Sequence, residues 1–146
     1  FEIHSIEQPV AKNNTDSMAE LCRMTPLPIA LDEELIGVFD VVEKEQLLTK
    51  IKPQYIILKP TLVGGFQGSD AWIDLAEQQN VGWWMTSALE SNVGLNAIAQ
   101  YTYTKHNPQP QGLGTGSLFT NNFEAPLEVK KGTLFYNTNK NWNFNL

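Results

Sequence analysis

Apolar residues change their spacing along this chain in a repeating way. The run Ile56, Ile57, Leu58 is continuous, as in a parallel strand covered on both faces. It stops at Lys59 and Pro60, because proline cannot donate to a sheet ladder and Gly64-Gly65 relaxes the backbone beyond. Comparable stretches in "FEIHSIEQP", "PIALDEEL" and "VGWWMTSALES" predict three further strands. "DSMAELCRM", "EKEQLLTKI", "GSDAWIDLAEQQN" and "VGLNAIAQYTY" carry the three-to-four-residue spacing of helices instead. Thr15 or Asp16 is the expected cap of the first helix and Ser69 or Asp70 that of the third, while Pro53 ends the second and the third stops near Gly82. Leu95, Ile98 and Ala99 share one face of the fourth. Past Pro108 and Pro110, "GLGTGSLF" predicts a last short strand and "LEVKKGTLFYN" a hairpin turning at Gly132. The Asn-rich tail "NTNKNWNFNL" reads as a terminus docked through Trp142 or Phe144.

Strands alternating with helices at this spacing predict an α/β fold built on a parallel sheet, either doubly wound or closed as a barrel. The strand ends bear on that choice. Glu7, Asp32, Lys59 and Glu90 each follow a strand, one strand–helix unit apart, and so occupy the carboxyl edge. In a barrel such ends converge on one mouth, whereas in an open sheet they spread along a line at roughly 4.8 Å per strand. A lone lysine at a strand end reads as a snorkelling side chain with its ammonium in water. Beside two carboxylates on neighbouring ends, Lys59 instead completes a set suited to a divalent metal and a base.

Composition removes several classes of function. A chain of 146 residues suffices for one domain with a real core. A net charge of -6 with scattered Lys and Arg excludes nucleic acid as the main partner and suits a cation. Cys22 is alone, so no internal disulfide forms; a reducing, cytoplasmic setting is expected, with the thiol buried in its helix. No window approaches the roughly 20 apolar residues of a membrane span, and the start lacks the basic and apolar regions of a signal peptide, so no membrane association is expected. The Asn13-Asn14-Thr15 glycosylation pattern then carries no weight. "GLGTGS" and "GGFQG" do not fit a phosphate loop, and His4 and His106 read as structural and solvent-facing, without metal-ligand spacing.

"IEQP", "LDEE", "LKPTLVGG" and "TSALESNVGLNAIAQ", in this order, resemble the second half of an enolase-superfamily barrel, and "ESNVGLNAIAQ" followed by "GLGTGSLFTNNFEAPL" resembles its o-succinylbenzoate synthase family. The resemblance implies that residues 1–125 are strands four to eight of a modified TIM barrel of the (β/α)7β type, and that 126–146 form a hairpin and tail packing near the capping domain. It implies Glu7 and Asp32 as ligands of Mg²⁺ or Mn²⁺, and Lys59 as the sixth-strand lysine, which steadies an enolate by its charge in the synthases and acts as a second base in racemising relatives. Thr86 and Ser87, at the mouth, would either hydrogen-bond a substrate carboxylate or satisfy nearby backbone groups, and the family's eighth-strand loop implies that amides from Gly114 to Gly116 help hold the substrate. Glu90 would orient Lys59 or cap the helix at Asn92, and Glu33 would point away from Asp32.

The implied activity is metal-dependent dehydration of a small carboxylate through an enediolate, forming o-succinylbenzoate for menaquinone. The alternatives are N-acylamino acid racemase or dipeptide epimerase chemistry, although "GLGTG" lacks the Asp-x-Asp pair of the epimerases, and a non-catalytic fragment. The family's capping domain, first three strands, third metal carboxylate and opposing lysine have no counterpart here. The expectation is therefore a missing amino-terminal half or self-association, and an isolated chain that is inactive.

Overall fold

The computed structural model describes residues 2–145. It divides into two compact units, Phe1–Trp84 and Met85–Leu146. The first holds β1 (Ile6–Glu7), α1 (Thr15–Met24), β2 (Ile29–Leu31), a 3₁₀ turn (Glu33–Leu35), α2 (Val41–Ile51), β3 (Tyr55–Leu58), α3 (Gly65–Gln78) and most of β4 (Gly82–Met85). The strands lie in the order β1-β2-β3-β4, with β1 parallel to β2 and β2 parallel to β3. Strands that neighbour one another in chain order wind in one direction, and right-handed crossovers then put successive helices on the same face. A doubly wound sheet would reverse its order, so the barrel-type winding is the one adopted.

Ile29, Leu31, Ile56 and Leu58 are fully buried, as are Met18, Leu48 and Trp72 of the three helices. Each such side chain contributes about 1.5–3 kcal/mol relative to exposure. The continuous apolar run of β3 is thus a strand covered on both sides, with Ile57 also buried. Cys22 is a buried free thiol whose pKa burial pushes up. Lys44, which nothing in the helical pattern marks as interior, is only 1% exposed. Its ammonium donates to the Gly68 carbonyl at 2.8 Å and lies 5.1 Å from the centre of the Trp72 ring, and desolvation lowers its pKa.

Two helix starts differ from expectation. At α1 the N-cap is Asn14, without a side-chain cap bond, and Asp16 pairs with Lys50 at 2.8 Å. At α3 the helix begins at Gly65, not near Ser69, whose hydroxyl donates to the Gly65 carbonyl from one turn further on. Gly64 and Gly65 have φ of 100° and 71°, a left-handed pair that swings the chain into the helix earlier than the cap chemistry suggests. By contrast α2 is capped by Asp40, which accepts from the amides of Val42 and Glu43 at 2.9 and 3.1 Å.

The second unit contains α4 (Asn92–Thr104) and the hairpin of β5 (Leu127–Lys130) and β6 (Thr133–Tyr136), which turns through Lys131 and Gly132, both at positive φ. Leu95, Ile98 and Leu113 form its core, with Ala99, Leu127 and Leu134 against them. The strand expected at "GLGTGSLF" reduces to one isolated parallel bridge between Thr86 and Gly112. Three glycines in five residues supply too little side-chain packing to extend that ladder. The tail returns through a bridge between Glu124 and Asn143, with Trp142 stacked on Phe144 at 5.6 Å and Phe144 against Phe123 at 5.7 Å. Hydrogen bonds from Lys130, Lys140 and Asn137 hold the Glu128 carboxyl down to about 2. No helix among the described residues is long and apolar enough to cross a membrane.

A Cβ on Gly68 would sit 2.2 Å from the Val63 carbonyl oxygen, a backbone atom with little room to retreat. Gly68→Ala is therefore expected to destabilise by about 1–3 kcal/mol in a urea melt. A melt unchanged from wild type would contradict the tight turn into α3.

Candidate active site

Strand register brings the charged ends together. Glu7 pairs with Ala30, and Ala30 with Tyr55. Because side chains alternate along a strand, Asp32, two residues beyond Ala30, and Lys59, four beyond Tyr55, project from the same face as Glu7. The side chains meet there. The Lys59 ammonium donates to and pairs with Asp32 Oδ2; the Asp32 side chain is 2% exposed and that of Lys59 19%. Glu7 is more exposed, yet its pKa is raised. Partial desolvation contributes most, followed by its hydrogen bond to Asp32 and the repulsion of that carboxylate; Lys59 opposes these effects and Glu33 adds to them.

The surrounding loops contain two residues that the sequence motifs leave unmarked. Gln8 follows Glu7 with φ of 35°, and its side-chain oxygen accepts from the amides of Asp32 at 3.0 Å and Glu34 at 3.3 Å. Its nitrogen donates to the Val10 carbonyl at 2.9 Å and to Glu34 Oε2 at 3.2 Å. Glu34 is 3% exposed, and its other oxygen accepts from the Asn13 amide at 3.2 Å. A buried glutamate is invisible in "LDEE", where any of the acids could face water. Glu33, next to it, is exposed where Asp32 is buried.

The other expected site residues belong to the second unit, where local bonds occupy them. Glu90 Oε2 accepts from Ser87 Oγ at 2.7 Å and from the Ala88 amide at 2.9 Å. Ser87 Oγ in turn accepts from the Leu89 amide at 2.8 Å, which supports Leu89 at φ of 66°. Thr86 Oγ1 donates to the Gly112 carbonyl at 3.0 Å. Gly114 is open, with Val129 its nearest neighbour at 4.0 Å from a built Cβ. His4 is exposed and lies 4.7 Å from the Tyr55 ring, which opens β3, while His106 is exposed near Tyr103.

Among the described residues no three His, Cys, Asp or Glu side chains gather as a metal-binding group. Glu7 and Asp32 nevertheless fit a hard dication as donors. They are oxygen donors at the ends of adjacent parallel strands, the ligand type a hard dication takes. They would supply two protein ligands, leaving the remaining positions to water, substrate or other residues.

Parallel strands wound one way, with carboxylates and a lysine at the carboxyl edge, define a barrel-type α/β domain. Its family is shown by sequence: the chain belongs to the Enolase C-terminal domain-like family, matched over residues 1–139. It is 53% identical over 134 residues to the o-succinylbenzoate synthase of Desulfotalea psychrophila, a match covering 92% of this chain and 36% of that protein. The crystal structure of MenC from the same organism superposes with a TM-score of 0.87 at 53% identity, over 90% of this chain and 37% of that one. The muconate lactonizing enzyme from Pseudomonas putida superposes with a TM-score of 0.80 at 25% identity, over 90% and 37%. The L-Ala-D/L-Glu epimerase of Bacillus subtilis is 27% identical over 128 residues, 88% of this chain and 31% of the epimerase. The chain thus spans about a third of the length of these relatives, 36% of the first.

The raised Glu7 pKa makes a prediction about stability. The folded state holds the proton above the ordinary Glu value of 4.5, so stability falls as pH rises from there through the folded pKa. Glu7→Gln removes that penalty. It is expected to be more stable than wild type at about pH 7, with the difference closing below about pH 4, as read from urea midpoints at each pH. A variant less stable than wild type at neutral pH would show that the carboxylates are not in repulsive contact.

Proposed function

We propose that this chain is the carboxyl-terminal part of a cytoplasmic enzyme of the o-succinylbenzoate synthase type, acting by metal-dependent dehydration in menaquinone biosynthesis. One observation carries the reading: Glu7, Asp32 and Lys59 meet on one face of register-aligned strand ends, in a chain 53% identical to a protein of that name. Residues 1–125 would be the barrel portion and 126–146 its hairpin and tail. The remaining strands would come from elsewhere, supplying a third carboxylate and an opposing lysine; without them the isolated chain would be inactive.

In this reading Glu7 and Asp32 hold Mg²⁺ or Mn²⁺. The ion would stabilise the two adjacent negative oxygens formed when a carbon next to a carboxylate loses its proton. Lys59 contributes a fixed positive charge on the same face, and its bond to Asp32 orients it. As an ammonium aimed where negative charge develops, it lowers the barrier without itself moving a proton. Asp32 keeps that ammonium in place and Lys59 keeps Asp32 soluble in its buried position, so each makes the other tenable.

The 27% identity to an epimerase keeps a second reading in view, in which Lys59 is a base. Two substitutions separate them in the enzyme that carries this chain with the rest of its barrel. Lys59→Ala should lower kcat for dehydration by about 10²–10³-fold. Lys59→Arg keeps both the charge and the pairing to Asp32. It should retain well over a tenth of wild-type kcat if Lys59 acts by charge, and fall to the Ala level if it acts as a base. An Ala variant as fast as wild type would remove Lys59 from the chemistry.

A further inference from the structure

We infer that Gln8 is a positioning residue that holds the Glu7 and Asp32 carboxylates at metal-binding separation, with buried Glu34 as its anchor. The inference rests on the metal-binding reading of Glu7 and Asp32 and goes beyond it. Gln8 joins the end of β1 to the turn after β2 by two routes. Its own amide donates to the Ala30 carbonyl at 2.9 Å, extending the β1–β2 ladder one step past Glu7. Its side chain crosses the same gap, accepting from the amides of Asp32 and Glu34.

All four hydrogen-bonding positions of that side-chain amide are used, and their chemistry fixes its orientation. The oxygen faces two N–H donors, while the nitrogen faces two oxygens, the Val10 carbonyl and Glu34 Oε2. A flipped amide would set like against like at every position. Glu34 is held in turn by the Asn13 amide, so the brace ends on a buried group rather than in water.

A residue that merely filled loop hydrogen bonds would have no reason to sit in a left-handed conformation immediately after Glu7. Gln8 does so with φ of 35°, and such strain persists only where surrounding contacts over-determine it. The need for a brace is on the same face. Glu7 and Asp32 are like charges at the ends of adjacent parallel strands, and unbraced loops would let the two strand ends splay. Gln8 opposes that movement at the level of the carboxylates.

The test uses the enzyme that carries this chain with the rest of its barrel, and Mn²⁺ alone, with free Mn²⁺ read by electron paramagnetic resonance and backbone exchange by mass spectrometry. Gln8→Leu removes all four side-chain bonds at similar size. Gln8→Glu keeps the acceptor but turns an oxygen toward Val10 and Glu34, while adding a negative charge that would by itself favour Mn²⁺. Both variants should bind Mn²⁺ about tenfold more weakly than wild type, as loss of an orienting partner does at metal sites. The peptide containing Asp32 and Glu34 should exchange faster in both. Leu48→Ala, which weakens the core away from this loop, should leave Mn²⁺ affinity within about twofold.

Gln8 variants that bind like wild type while Asp32→Asn binds poorly would overturn the role of Gln8 alone. A loss in Leu48→Ala equal to that in Gln8→Leu would overturn it too, as an effect of stability only, and tighter binding by Gln8→Glu would show that charge outweighs position. If Asp32→Asn binds as well as wild type, the metal-binding reading fails and takes the inference with it.

Discussion

Asp32 is a carboxylate with almost no exposed surface, and the Lys59 ammonium makes its burial tenable. An unpaired charge there would cost several kcal/mol, enough to threaten a domain of this size. The pair in turn requires β2 and β3 to be neighbours, parallel, and in the register that sets Ala30 beside Tyr55. A slip of one residue would carry Lys59 to the opposite face, among the fully buried Leu31, Ile56 and Leu58. The Asp32–Lys59 pairing and the strand register are therefore one constraint, read once as electrostatics and once as packing.

One-way winding explains why the charges collect on a single edge. Each strand leaves the sheet at the same end, so its first residues beyond the ladder are free to carry polar groups without disturbing the apolar layer beneath the helices. The cost is partial desolvation of Glu7 and its repulsion by Asp32, which together raise the Glu7 pKa. Lys59 offsets it from one side, and Gln8, through the amides of Asp32 and Glu34, restrains it from the other. The site is thus strained by design of its charges and held by its neighbours.

Much of this was legible in the sequence because parallel strands write their ends plainly. The apolar run before Lys59 and the proline after it mark where β3 stops, and the same logic puts Glu7 and Asp32 at matching ends. What stayed hidden depends on long-range contacts. Nothing local distinguishes Glu34, buried on Gln8 and Asn13, from exposed Glu33 beside it. Lys44 looks like an ordinary polar residue of an amphipathic helix until Gly68 and Trp72 receive it. The start of α3 was obscured because two left-handed glycines replace a side-chain cap. Glycine-rich "GLGTGSLF" had the position of a strand but not the side chains to pack one, and a single bridge remains.

The account stands or falls on Glu7 and Asp32 acting together on one ion. Anomalous diffraction at the manganese edge, from crystals of the enzyme carrying this chain grown with Mn²⁺, tests that directly. The account predicts a single strong peak within about 2.2 Å of a carboxylate oxygen from each of the two residues, with Lys59 on the same face. A peak bound to other carboxylates, with Glu7 and Asp32 both outside its ligand shell, would contradict it.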